Sequence, residues 1–276
     1  MILIAESGST KTEWNIIEDG QVIECALTDG INPFMQPVEV IKQTLVTQLP
    51  KSILAGKFNC LYYYGSGCVG DVQKEIVSAA LKIISTSKIE VESDLCAAAR
   101  ALFLRVEGVA CILGTGSNSC YYNGKGIVKN VPSLGFILGD EGGGAVLGKM
   151  FLSDCLKGLA PELLTQEFFE KYKISYPDVL DKIYRQPFPN RFLAGFSTFL
   201  SGHLDNEYVC NLVKVNFENF FKRSVLQYDC EKKAVGIVGS IAFYYSDILR
   251  ETASDFGISV CKIMKSAMEG LIEYHK

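Results

Sequence analysis

The sequence predicts an α/β protein built from two copies of one unit arranged around a central cleft, and three observations carry that prediction. A strand-turn-strand pattern that opens the chain returns roughly a hundred residues later. Strand-type and helix-type periodicities alternate between the two occurrences. The 276 residues, 48% of them hydrophobic, are enough for about two packed domains.

The first hairpin runs from the apolar residues 2–5 through Glu6-Ser7-Gly8-Ser9-Thr10 into a second strand, Lys11 to Ile17, that ends at the Asp19-Gly20 turn. A strand at Cys60 to Tyr64, a helix at Asp71 to Ser85 and a strand at Ile89 to Glu92 follow, in a βαβ-like order. The second hairpin pairs Val109 to Leu113 with Ser119 to Tyr122 across Gly114-Thr115-Gly116-Ser117-Asn118, and turns again at Asn123-Gly124. Gly139-Asp140-Glu141-Gly142 then leads into a helix from about Ala145, with Leu147, Phe151 and Cys155 on one face. Residues 161–227 read as mostly helical. A strand at Ala234 to Val238 runs through Gly239-Ser240 into a helix carrying Ile241, Tyr245, Ile248 and Leu249, and a last helix is expected from near Met264. The expected domains are 1–107 and 108–276, with a helical insertion around 161–230 and the last helix able to pack back on the first domain.

Bulk properties exclude several classes. The formal charge of -4 comes from 27 basic and 31 acidic residues without long like-charge blocks, which leaves no electrostatic footprint for a nucleic acid. Neither a basic leader nor an apolar run long enough to span a bilayer is present, so a cytoplasmic protein with small-molecule partners is expected. The ten cysteines are scattered, none in a Cys-x-x-Cys pair, and only His203 and His275 could add imidazole ligands. Reduced thiols and no protein-built transition-metal site follow.

Two glycine turns rich in hydroxyl residues suggest a clamp on something anionic, because turn amides and hydroxyls present donors. In the first turn Ser9 and Thr10 offer donors with Lys11 beside them, and Glu6 could hold a magnesium ion through water. In the second, Gly114 and Gly116 permit close backbone approach while Thr115, Ser117 and Asn118 add polar groups. Each turn alone also reads as an ordinary polar hairpin. Asp94 stands at a strand's carboxyl end and a helix start, where α/β sites collect, and where an aspartate also serves as an N-cap. Asp140 and Glu141 read as a site for sugar hydroxyls or the metal's water shell, or as caps. Gly239-Ser240 matches a place where a nucleoside lies against bare backbone.

One segment points elsewhere. Gly65-Ser66-Gly67-Cys68-Val69-Gly70 fits the dinucleotide fingerprint between a strand and a helix, and an NAD-binding oxidoreductase is the reading it supports. That reading leaves both hairpin turns and Gly-Asp-Glu-Gly unexplained. No P-loop sequence and no Gly-x-Ser-x-Gly elbow occurs.

Taken in order, Glu6-Ser-Gly-Ser-Thr-Lys-Thr12, Gly30-Ile-Asn-Pro-Phe34, Ser93-Asp94, Gly114-Thr-Gly-Ser-Asn118, Gly139-Asp-Glu-Gly142 and Gly239-Ser240 resemble the BadF/BadG/BcrA/BcrD-type ATPase family of the actin, hexokinase and Hsp70 superfamily. Within it the chain is similar to N-acetylglucosamine kinases. The resemblance implies duplicated actin-like ATPase (ribonuclease H-like) domains, ATP with magnesium as cofactors, a small-molecule sugar as partner, and a homodimer as an open option. It also implies contact with an amino sugar at Asn32, Phe34, Ser117, Asn118 and Asp140, nucleotide contact at Thr10, Thr115 and Gly239, and Asp94 as the base. Two departures stand out: Glu6 replaces the usual aspartate, and Gly143-Gly144 replaces a common Ser-Ala pair. The family also contains iron-sulfur activators, whose cysteine contexts are not found here. A nucleotide-gated activator without sugar kinase activity is the alternative the resemblance leaves.

Overall fold

The computed structural model describes residues 1–8, 10–228 and 234–276, and the chain divides into two compact units. Unit 1 comprises Met1–Val106, Asn123–Ile127 and Ser266–Lys276, and unit 2 comprises Glu107–Tyr122 and Val128–Lys265.

In unit 1 the chain forms β1 (Ile2–Ser7), β2 (Lys11–Glu18), β3 (Gln21–Asp29), α1 (Val38–Gln48), α2 (Lys51–Leu54), β4 (Lys57–Phe58), β5 (Cys60–Gly65), α3 (Asp71–Leu81), β6 (Ser85–Thr86), β7 (Ile89–Ser93) and α4 (Asp94–Phe103). Its five-stranded sheet has the order β3-β2-β1-β5-β7, with β1, β2 and β3 antiparallel and β1, β5 and β7 parallel. The antiparallel meander at one side separates this sheet from an all-parallel dinucleotide-binding sheet.

Unit 2 follows with β8 (Glu107–Leu113), β9 (Ser117–Asn123), β10 (Ile127–Val131), α5 (Gly135–Leu138) and α6 (Gly144–Lys157). The helices α7 (Glu162–Tyr172), α8 (Tyr176–Tyr184), α9 (Pro189–Gly195), α10 (Ser197–Leu200) and α11 (Glu207–Arg223) come next. The unit ends with β11 (Val235–Val238), α12 (Ser240–Tyr244), α13 (Ser246–Asp255) and β12 (Val260–Met264), and α14 (Met268–Tyr274) returns the chain to unit 1. The order β10-β9-β8-β11-β12 repeats the order of the first sheet, which is the duplication in physical form.

Three elements differ from the sequence reading. The helix expected to reach Ser85 ends at Leu81, the helix after Gly239 is broken into α12 and α13, and residues 260–264 form a strand, so the last helix starts at Met268. Leu147, Phe151 and Cys155 do share the buried face of α6. Each unit fills its own core: Leu3, Trp14, Leu61 and Val77 in unit 1, and Val109, Phe151, Phe168, Phe199 and Phe217 in unit 2. Among the described residues no helix is long and apolar enough to cross a membrane, and every described cysteine is free.

The chain's end is anchored within unit 1. Gly270 of α14 lies so close to α4 that a Cβ there would stand 2.6 Å from the Ala101 Cα. His275 stacks on Tyr62 with ring centroids 3.7 Å apart, and its Nε2 lies 2.7 Å from the Tyr64 hydroxyl. Arg100 donates to that hydroxyl at 2.7 Å, so the Tyr64 proton points at a neutral Nε2. Burial, followed by the Arg100 guanidinium, pushes His275 down to about 4. An unfolded histidine titrates near 6.5, so between these values the unfolded chain binds the extra proton. The His275 contribution to stability is complete above that window and is lost as pH falls through it. Thermal melts across the window are expected to show Tm falling with pH, with a flatter slope for His275→Gln.

Candidate active site

The first glycine turn is closed by the Gly8 amide donating to the Lys11 carbonyl at 3.0 Å. Ser7 and Thr12 flank it but are buried: their hydroxyls bond each other at 2.7 Å, Ser7 Oγ accepts from the Ile31 amide, and Thr12 donates to the Asp29 carbonyl. Those two hydroxyls hold the loop that follows β3. Thr10 and Lys11 are exposed, and Ser9 lies outside the described residues. Glu6, in β1, accepts a 2.8 Å hydrogen bond at Oε2 from Ser266. Burial raises its carboxyl above the ordinary glutamate range, with the charges of Glu13 and Asp94 adding to the effect.

Asn32 and Phe34 sit on the loop held by Ser7. Asn32 Oδ1 accepts from the Phe34 amide at 3.0 Å, while Phe34 stays largely exposed. Gly67 explains part of the dinucleotide-like segment, because it has φ +81° and a Cβ on it would meet Asn32 Oδ1 at 2.6 Å and the Phe34 ring at 3.2 Å. The bare backbone at Gly67 makes room for the protein's own asparagine. Gly70 is the N-cap of α3. The glycines that imitate a dinucleotide fingerprint therefore serve local packing.

Asp94 is half-buried at the end of β7, and the capping alternative is resolved by its neighbour. Ser93 is the N-cap of α4, its hydroxyl accepting from the Cys96 amide at 3.1 Å. Asp94 is the first helical residue, with Oδ1 accepting from the Leu95 amide at 2.8 Å. Burial raises its carboxyl above the usual aspartate range, against the lowering effect of the Leu95 amide. Ser93 thus supplies the N-cap, and burial leaves the Asp94 carboxyl with a higher proton affinity than a free aspartate has.

In unit 2 the second turn and the Gly-Asp-Glu-Gly segment form one packed assembly. Asp140 Oδ1 accepts from the Ser117 amide at 3.2 Å, and the Gly144 and Ala145 amides at the start of α6 donate to the Gly114 and Thr115 carbonyls at 2.8 Å each. A Cβ on Gly116 would stand 2.6 Å from the Asp140 carboxylate, and one on Gly143 would stand 2.7 Å from the Gly116 carbonyl carbon. Close backbone contact thus demands the glycine at 143, whereas a Cβ on Gly144 would first meet the end of the Ile241 side chain, at 3.1 Å. Asp140 takes φ +60° and burial raises its carboxyl, whereas Glu141 pairs with Arg223 at 3.0 Å. Neither caps α6, whose N-cap is Gly143. Ser117 is buried, and Asn118 Oδ1 accepts from the Ser119 amide and from Asn130 Nδ2.

Gly239 has a packing reason of its own. At φ +130° its missing Cβ makes room for the Leu113 carbonyl, and Ser240 is the exposed first residue of α12. Gly114 has no such reason: a Cβ there would meet no atom within 4 Å. The backbone there faces open space, and the Thr115 hydroxyl beside it is a donor of the kind phosphate oxygens accept, so the turn leaves room for a nucleotide. A magnesium ion is usually held by one or two carboxylates and the nucleotide's phosphates through water, which a lone Glu6 can serve. No cluster of three or more ligating side chains exists among the described residues for an all-protein cage.

Neither a protein-family model nor a curated protein matches the chain. A solved structure from Porphyromonas gingivalis, provisionally assigned as an N-acetylglucosamine kinase, shares 42% identity over 100% of this chain and 98% of its own, with a TM-score of 0.95. The chain belongs to that sugar-kinase family, in the actin/hexokinase/Hsp70 superfamily. A second structure with the same provisional assignment, from Chromobacterium violaceum, has 14% identity and a TM-score of 0.74, covering 100% of this chain and 98% of its own. A ROK family glucokinase from Streptomyces griseus, solved with glucose and AMPPNP, has 13% identity and a TM-score of 0.57 over 99% and 97% of the two chains. At those identities the likeness is one of fold, and it fixes the two-domain actin-like architecture.

Residues that support this kinase-family site were missed by pattern reading. Asn216 of α11 is fully buried, accepts from the Gly142 amide at 2.9 Å and donates to the Gly143 carbonyl, holding the segment that carries Asp140. Ser266, 260 positions from Glu6, orients its carboxylate. Glycine spacing carries no trace of either.

Proposed function

We propose that the chain phosphorylates the 6-hydroxyl of an amino sugar, N-acetylglucosamine foremost, with ATP and magnesium. The observation that carries this reading is the Asp94 carboxyl, raised by burial at a strand end while Ser93 does the capping. ATP would supply the phosphoryl group, and a magnesium ion, which Glu6 would hold through water, would offset phosphate charge. Asp94 accepts the hydroxyl proton as the sugar oxygen bonds to the γ-phosphorus and the bond to ADP breaks. Asp140, with Ser117 and Asn118 beside it, holds sugar hydroxyls, and Asn32 and Phe34 line the acceptor. In unit 2 the turn at Gly114–Gly116 serves phosphates and Gly239-Ser240 the nucleoside, and in unit 1 Thr10 and Lys11, with Ser9 outside the described residues, are the phosphate donors. The reaction is read as cytoplasmic.

Release of ADP across a panel of hexoses, hexosamines and N-acetylhexosamines tests the proposal. N-acetylglucosamine is expected to give the highest kcat/KM. Slow ATP hydrolysis unchanged by every sugar would instead assign the chain to nucleotide-gated activators.

A further inference from the structure

Unit 2 contains a cavity of about 600 Å³ between α6 and α8, with Leu193 of α9 in its wall, separate from every residue placed in the kinase site. Two stripes face it. From α8 come Tyr176, Leu180 and Tyr184, spaced four apart and 59%, 38% and 79% exposed. From α6 come Lys149, Ser153 and Lys157 at the same spacing, so one wall is apolar and aromatic while the other carries two ammonium groups and a hydroxyl. Among the described residues that line the cavity none is a carboxylate, and the Lys149 charge also acts on Asp140 outside it.

We infer that this groove binds a small amphipathic anion: an aromatic or acyl body against the α8 stripe, with one carboxylate, sulfonate or phosphate between Lys149 and Lys157. The volume lies in the range of ligand pockets, roughly 300–1,000 Å³, and such pockets combine apolar walls with a few convergent polar groups. Three large exposed apolar side chains on one helix carry a solvation cost that a bound apolar body removes. Lys157, joined by Lys149 when it leaves the Phe136 carbonyl, selects a negative head group.

The groove is also wired to the kinase site. Lys149 Nζ donates at 3.0 Å to the carbonyl of Phe136 in α5, four residues before Asp140. The Asp140 amide closes that segment on the Ser133 carbonyl at 2.9 Å. An anion that draws Lys149 toward the groove releases Phe136 and loosens the segment ending in Asp140, which makes the ligand an effector of sugar binding. This effector role rests on the kinase reading; the binding does not.

Titration of the full chain with anilinonaphthalene sulfonate, an apolar-bodied anion, tests the site by fluorescence. One probe per chain is expected, retained in excess ADP and N-acetylglucosamine, and weakened about tenfold or more by Lys157→Gln and by Ser153→Phe, which fills the groove. Neutral phenylnaphthylamine should bind at least about tenfold more weakly than the sulfonate. Equal binding of the two probes, displacement by ADP, or indifference to both substitutions overturns the anion site. A concentration-dependent dimer broken by Ser153→Phe would give the groove to a second copy instead. If the probe binds as expected yet leaves the sugar KM unchanged, the effector role is overturned while the site stands. If no sugar is phosphorylated at all, the kinase reading fails without touching the binding result.

Discussion

Replacing Asp94 with asparagine is expected to lower kcat about a hundred- to ten-thousandfold, the range general-base removal produces, while ATP still binds. The same substitution should leave the fold as stable as before or more so. The Asp94 pKa is raised on folding, so the native state binds the proton more tightly than the unfolded chain does. Stability therefore falls as pH rises from the unfolded value through the folded one, as the buried carboxyl loses its proton. Asparagine carries no charge, and its Oδ1 can keep the Leu95 amide that Asp94 now accepts. Ser93 continues to cap α4. A structural aspartate at an N-cap gives the opposite pair of results, unimpaired turnover with a lower Tm, because its carboxylate is stabilised by the helix amides. Kinetics and thermal melts on one variant therefore separate the two roles. In the wild type, the acid limb of kcat/KM against pH is expected above the ordinary aspartate range, because the base works only when ionised.

The hairpins, their turns and the βαβ-like middle were legible because each is encoded locally: apolar runs of strand length broken by Gly-Ser-Thr clusters. The wider symmetry, two sheets of one strand order, followed from the repeat. Failures came where local signals overlap. Met264, Met268 and Leu271 keep a helical spacing across the boundary between β12 and α14, so the strand was absorbed into the helix. The Ser93-Asp94 pair contains two competent caps, and only the backbone shows that the serine is used. Gly143 stands out in the sequence only as a departure from a common pair, whereas a Cβ there would press on the Gly116 backbone, a partner distant in sequence. Asn216 and Ser266 are tertiary partners without any local pattern.

Gly114 in the second turn and Gly239 packed against its start are expected to fail in opposite ways. Gly239→Ala should destabilise the protein by about 3 kcal/mol or more, because φ +130° with an extended ψ is reserved for glycine and the new methyl would press on the Leu113 carbonyl. β11 pairs with β8, so that pressure falls on the strand that delivers the Leu113-Gly114 peptide to the second glycine turn. Lost stability should come with lost ATP affinity. Gly114→Ala introduces a methyl that meets no protein atom within 4 Å, at a backbone outside the left-handed region, so its stability should change by no more than about 1 kcal/mol. If the nucleotide lies against that backbone, ATP binding should nonetheless weaken about tenfold or more, the equivalent of roughly 1.4 kcal/mol. Calorimetric ATP titrations and melts on both variants separate folding from ligand contact. Wild-type ATP affinity in Gly114→Ala would remove the nucleotide from the second turn, since the glycine would then serve neither the fold nor the ligand.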